Sequence, residues 1–300
     1  KQSIIKSLNL DFPTAQEIAN FYNEFEILSE LELEGVPKIY KKTRIKNNHA
    51  FELEWFDGQT LSKIIYEKQK NFQDFLQISL AITKVLHDIH IKDVIHLDIN
   101  PNNILVNLQE RNVKIIDFGS ASRYDLNKYD LRNPTQIQVS LNYCSPEQTG
   151  RINRQVDYRS DLYSLGVCFY EMLSGQLPFI YADSLELVHA HIAQTPIAPN
   201  KINKNVPAAL SQIAIKLMAK NAEDRYQSAA GLLVDLEKCS AFLSQDGKIP
   251  DFILGENDHF GIFKIPQKLV GRKAEIQMIL SEAEDCFKGK RKLLLVDGYS

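Results

Sequence analysis

The chain has 300 residues, 44% hydrophobic and 24% charged, with 13 Gly, 11 Pro and a formal net charge of -3. That composition is globular, long enough for one large domain or two of ordinary size, and its charge balance gives no support to a nucleic-acid or anionic-membrane partner. Four cysteines (Cys144, Cys168, Cys239, Cys286) stand far apart without a C-x-x-C pair, which argues against a zinc site or disulfide framework and for a reducing, cytoplasmic compartment.

The opening "SIIKSLNL" reads as the end of a strand. "FPTAQEIANFYNEFEILSEL" reads as a helix: Thr14 followed by Glu17 is a capping box, and Ile18, Phe21, Phe25 and Leu28 share one face. "GVPKIYKKTRI" and "HAFELEWF" read as strands, so the first sixty or so residues suggest a small sheet with one helix. From Asp74 the helical period takes over, through Phe75, Ile78, Ile82, Val85, Leu86 and Ile89. The polar loop "HLDINPNN" follows, then short strands at "NILVN" and "VKIID" and a turn-rich segment from Gly119 to about Ser145. "SDLYSLGVCFYEMLSG" reads as a buried helix stopped by Gly175, with Pro178 just beyond. "SLELVHAHIAQ", "AALSQIAIKLMAK" and "SAAGLLVDLEKC" are further helices, and His189 and His191 on the first of them read as ordinary side chains. A Gly-, Pro- and Asp-bearing stretch then suits a linker, before a helical "LVGRKAEIQMILSEAEDCF" and a strand "KLLLVDG". The first residue is Lys and the last residues are "VDGYS", so both ends look cut. No apolar run approaches the length of a membrane span.

Phosphoryl transfer depends on positioning and charge stabilisation: a carboxylate near the acceptor hydroxyl, groups that hold metal ions, and a cation on the nucleotide phosphates. Asp98 suits the first role, Asn103 and Asp117 the second, and Lys6, with Glu24 as an ion-pair partner, the third.

Taken in order, these motifs resemble a eukaryotic-type protein kinase. "SIIK" stands where the family has its strand-borne lysine and "NEFEIL" where its helix glutamate sits. "HLDINPNN" is similar to the catalytic loop, "DFG" to the magnesium loop and "CSPE" to the alanine-proline-glutamate motif. "DLYSLG" resembles the buried helix whose acid, Asp161, ties down the catalytic loop, and "EDRYQS" brings Arg225 as partner to Glu147. "SPEQTGRIN" and "ELVHAHIAQTP" further resemble the kinase domain at the front of large bacterial signalling proteins. In those proteins an ATPase of the AAA or STAND type and sensor and histidine-kinase modules follow.

The resemblance implies an α+β, bilobal protein-kinase-like fold over residues 1–240, with an N-lobe over 1–56 and a helical C-lobe over 57–240. It implies a linker over 241–267 and the start of an ATPase over 268–300, "LLLVDGYS" leading into a phosphate loop. The family's Gly-rich loop is expected ahead of residue 1. The implied reaction passes the γ-phosphoryl group of ATP, with Mg2+, to Ser or Thr of a protein substrate. Asp98, Lys6 and Asn100 are the expected catalytic residues; Lys6, Glu24, Leu53, Glu54, Trp55, Phe56, Asn103 and Asp117 bind nucleotide, and Asn103 and Asp117 hold metal. Glu54 to Phe56 form the hinge, and Leu53 faces the back of the adenine pocket.

Two departures leave other readings open. Leu97 replaces the family's phosphate-receiving arginine, and Asn100 replaces the lysine that stabilises charge on the moving phosphoryl group. A pseudokinase that regulates the neighbouring ATPase is the first alternative. A small-molecule kinase is the second, and Glu147, Asp161 and Arg225 weigh against it.

Overall fold

In the computed structural model the described residues are 2–8, 13–45, 48–67, 71–123, 140–258, 278, 281 and 282. Residues 1–260 form one compact unit and 261–300 a second. The expected ATPase segment, 268–300, lies outside the described residues but for 278, 281 and 282.

The first unit opens on a three-stranded antiparallel sheet in the order β1–β3–β2 (β1 Ser3–Ser7, β2 Ile39–Ile45, β3 Asn48–Glu54). Helix α1, Ala15–Glu30, starts where the capping box predicts: Glu17 N donates to Thr14 Oγ1 at 3.2 Å and Thr14 N to Glu17 Oε2 at 2.8 Å. Its buried stripe is Phe21, Glu24, Ile27 and Leu28. An acid therefore occupies a position in the apolar face, where it needs a partner.

After β3 come β4 (Gln59–Thr60), α2 (Leu61–Glu67) and α3 (Phe72–Ile91), the last capped by Asn71 Oδ1 accepting from Gln73 N at 2.9 Å. A second antiparallel sheet runs β4–β6–β7 (β6 Ile104–Asn107, β7 Asn112–Ile115), and β5 (Val94–Ile95) pairs with β8 (Ser122–Arg123). Helix α4, Arg159–Ser174, is buried on nearly every face and ends at Gly175 with φ 82°. Around it stand α5 (Ser184–Ala193), α6 (Pro199–Ile202), α7 (Ala208–Leu217) and α8 (Ala229–Asp246). One continuous apolar core runs from Phe21 and Phe51 through Leu86, Phe118 and Phe169 to Leu236. None of the described helices is long and apolar enough to cross a membrane.

The structure departs from the sequence reading at the two-residue strands β4, β5 and β8 and at three helices. The helices α2 and α6 were not foreseen, because 7 and 4 residues are too few to display a helical period. Helix α8, expected to close near Cys239, continues to Asp246, into the stretch read as linker, and stops at Gly247 with φ 64°. Leu243 gives that extra turn something to bury, and Ile249, Phe252 and Leu254 pack on the same core. The chain beyond then returns to the start of α8, where Asp258 accepts from Ser228 Oγ at 2.8 Å and from Gln227 N.

Candidate active site

Lys6 sits opposite Phe51 in the β1–β3 register. Its Nζ lies 2.6 Å from Glu24 Oε2 on α1 and 3.1 Å from Asp117 Oδ1 just past β7. The buried acid of α1 thus finds its partner. Burial pulls the Lys6 amine down, but the charges of Glu24 and Asp117 and their hydrogen bonds outweigh it and raise its pKa. Lys6 is accordingly a fixed cation at neutral pH.

Asp117 is in the left-handed region (φ 68°, ψ 75°), a conformation a non-glycine residue adopts only when its surroundings impose it. They do. The following 3-10 turn, Phe118–Ser120, seats Phe118 in full burial, with its ring edge-on to His96 at 4.7 Å. Asn23 of α1 stitches the turn to the helix, its Nδ2 donating to Ala121 O at 2.8 Å and Gly119 O at 3.3 Å. Glu24 and Asp117 are thereby presented to Lys6 together.

The loop 96–103 is held from beneath. Asp161, buried on α4, accepts from His96 N and Leu97 N, each at 2.8 Å, and lies 2.9 Å from His90 Nε2. This fixes Leu97 at φ 65° and turns its side chain into a small apolar cluster with Ile95 and Tyr158. Gln148 adds a bond from Nε2 to Leu97 O at 2.8 Å. His96, fully buried, has Nε2 3.1 Å from Ile116 O, a packing role.

Asp98 stands at the top of this loop. Asn103 Nδ2 donates to its Oδ2 at 2.9 Å, Asn100 Nδ2 to its Oδ1 at 3.1 Å, and Ser140 N reaches Oδ1 at 3.4 Å. Burial pushes the Asp98 carboxyl above its ordinary value, against the pull of His96 and these donors. The Asn100 amide also donates to Asp98 O at 3.1 Å, and its own Oδ1 accepts from Asn102 N at 3.0 Å. Asn100 is therefore occupied in bracing the carboxylate, a use that spacing alone does not reveal.

Asn103 spends its amide N–H on Asp98, which leaves Oδ1 as an oxygen donor; Asp117 keeps a half-exposed carboxylate. One amide oxygen and one carboxylate make a hard, incomplete donor set. It fits a magnesium ion that takes its remaining ligands from water and phosphate. Leu53 is buried, Glu54 is engaged by Lys114 at 2.8 Å, and Trp55 is exposed at the turn out of β3. Glu147 and Arg225 are both buried and paired with each other. Asn23, His90, Lys114 and Gln148 escaped the sequence reading. Each acts on a residue far away in the chain, and even where one lies in a motif, as Asn23 does in "NEFEIL" and Gln148 in "SPEQTGRIN", the motif does not name that partner.

A family model described as "Protein kinase domain" matches residues 1–233. Among curated proteins, a hybrid signal transduction histidine kinase G of Dictyostelium discoideum is 32% identical over 313 residues, covering 75% of this chain and 9% of that protein. A probable serine/threonine-protein kinase of Clostridium perfringens is 33% identical over 236 residues, covering 78% of this chain and 34% of its own length. The serine/threonine-protein kinase PknB of Mycobacterium tuberculosis is 32% identical over 185 residues, 61% of this chain and 29% of the relative. The chain thus spans about a third or less of the length of these relatives.

Proposed function

The chain belongs to the protein kinase family, and from that premise we propose that it passes the γ-phosphoryl group of ATP to Ser or Thr hydroxyls of a protein. The observation that carries the proposal is the Lys6 ammonium held at once by Glu24 at 2.6 Å and by Asp117 at 3.1 Å. Kinases require the lysine–glutamate pair and the metal-binding aspartate in place together. The preference for Ser and Thr draws on the names of the Clostridium and Mycobacterium relatives.

In this reading Lys6, braced by Glu24, binds the α- and β-phosphates, and the hinge residues Glu54, Trp55 and Phe56 receive the adenine against Leu53. Asp98 orients the acceptor hydroxyl and takes its proton, a task favoured by a carboxyl that burial holds above its ordinary pKa. Asn100 keeps that carboxylate aimed. Asn103 and Asp117 hold Mg2+, which when bound neutralises charge on the phosphate oxygens. The kinase occupies residues 1–240 and acts in the cytoplasm within a longer signalling protein. An ATPase begins at 268, a proposal supported by "LVGRKAEI" and "LLLVDGYS".

Labelled ATP with Mg2+, the full-length protein and a mixture of proteins and metabolites provide the test. Label on Ser or Thr of a protein, lost in Asp98→Asn, is the expected result. Label on a metabolite would make the chain a small-molecule kinase, and no transfer at all would make it a regulatory pseudokinase.

A further inference from the structure

Lys114 lies in the middle of β7, a strand that runs into Asp117, and is almost wholly buried. Its ammonium has three N–H donors. All three are taken: Glu34 O at 3.0 Å, Val36 O at 3.2 Å and Glu54 Oε2 at 2.8 Å. The first two belong to the loop that follows α1, and the third is the last residue of β3, where the hinge begins. The ring of Phe56, two residues into the hinge, lies 5.9 Å from the same ammonium.

Each of these partners is itself pinned. Ile115 N donates to Gly35 O at 2.9 Å, and the Gly35 α-carbon is pressed so closely on Val85 of α3 that a Cβ would fall 2.1 Å from its methyl group. Glu54 N donates to Lys38 O at 2.8 Å, and the Glu54 carboxylate accepts from Lys38 N at 3.2 Å. One ammonium thus joins three pieces: the strand that leads into Asp117, the loop behind the helix that carries Glu24, and the first residue of the hinge.

We infer that Lys114 is a positioning residue for the nucleotide, setting the separation between the hinge that takes the base and the Lys6–Asp117 pair that takes the phosphates. The inference rests on the ATP reading above. A nucleoside triphosphate is held at both ends, so an error in that separation weakens ground-state binding first. A buried ion pair adds little net stability over an apolar replacement, so position, not stability, is what the pair supplies.

Trp55 is the chain's one tryptophan and sits in the hinge, about half exposed. Its fluorescence, titrated with ATP and Mg2+, reports binding without activity. In Lys114→Met the Kd read by Trp55 and the KM for ATP should both rise about tenfold, the equivalent of one hydrogen bond to a charged group, with kcat within about twofold. Lys114→Arg should restore most of the affinity. Glu54→Gln should weaken binding in the same way, and the double variant should be no worse than Lys114→Met, since both changes break one contact. If Lys114→Met does not fold, Lys114→Gln is titrated in its place, with the same rise in Kd and KM expected. Unchanged Kd and KM in these variants, beside a parent that binds ATP, would overturn the role of Lys114; a parent whose Trp55 signal ignores ATP and which shows no transfer would instead overturn the nucleotide reading beneath it.

Discussion

Arg225 closes on Glu147 across 78 residues of sequence, Nη1 to Oε1 at 2.6 Å and Nη2 to Oε2 at 2.8 Å, with both side chains buried. The fork is fully used. Nε donates to Ala219 O at 2.8 Å, Nη1 also to Arg159 O at 3.0 Å, and Nη2 also to Lys220 O at 3.2 Å. A lysine has three donors and no planar fork, so it cannot reproduce this set. Glu147→Ala should cost about 3–5 kcal/mol, because it leaves a buried guanidinium uncompensated. Arg225→Lys should recover only part of the loss seen in Arg225→Ala. Urea unfolding midpoints measure both, and a Glu147→Ala protein as stable as the parent would contradict the assignment.

The same pair predicts a pH window. Burial pushes the Glu147 carboxyl up, but the Arg225 charge and the hydrogen bonds from Arg225 and Ser160 outweigh it and hold it below its ordinary value of 4.5. A carboxyl depressed in the folded state contributes stability that is full above its unfolded pKa and disappears as pH falls through the folded one. Stability should therefore decline below about pH 4.5 in the parent. Glu147→Gln, less stable throughout, should show a shallower decline in that range. Equal slopes in the two proteins would show that Glu147 is not the group responsible.

Asp98→Asn keeps size and hydrogen bonding but removes the proton acceptor. Turnover should fall about 10²–10⁴-fold, the usual worth of a general base, with little change in ATP affinity. The parent's rate should fall on the acid side as Asp98 protonates, at a pH above the ordinary 3.8 because burial raises that carboxyl. A rate unaffected by the substitution would remove Asp98 from the mechanism.

Asn100→Ala removes one neutral donor from Asp98, worth roughly 1 kcal/mol or about five-fold in rate. With that donor gone the acid limb should move to higher pH. Asn100→Lys should do the reverse, since a cation beside Asp98 favours its charged form, and should hold or raise activity. The two limbs of the pH–rate profile, measured side by side, test the bracing role directly.

Phosphorylation of the segment after Asp117 should not be needed for activity. Leu97 is turned into the apolar cluster with Ile95 and Tyr158 and offers a phosphate nothing, and Arg123 is already paired with Glu30. The triple substitution of Ser120, Ser122 and Thr135 by Ala should leave the rate within a few-fold; Thr135 lies outside the described residues. Loss of most activity would refute this.

Much of the site was legible because its signals are local. Thr14 and Glu17 announce α1 within four residues, and Gly175 ends α4 because few other residues take its backbone angle. Asp161, Glu147 and Arg225 were readable through the family resemblance, each in its own short motif. What stayed hidden is the wiring between distant segments. In "VKIID" Lys114 alternates with apolar neighbours and reads as a solvent-facing strand residue. That it points inward depends on Glu54, 60 positions earlier, and on a loop still further back. The direction of the Asn100 amide was hidden for a different reason: an asparagine can serve either side of a loop, and only the fold of 96–103 decides.

The return of the chain to Ser228 has a mechanical consequence. Helix α8 is 18 residues long, about 27 Å, and residues 248–258 run back to its beginning, where Asp258 clips onto Ser228 and Gln227. The polypeptide therefore leaves this unit not from the end of its last helix but from the start. Tension on the following chain would load the Asp258 clip and the seated side chains of Phe252 and Leu254 along the helix axis before it could peel the last turn of α8. Gln227 also accepts from Arg159 Nη1 at 3.0 Å, and Arg159 supplies a carbonyl to Arg225. Gln227, part of the anchor that would take the strain, is two residues along the chain from Arg225, whose guanidinium grips Glu147.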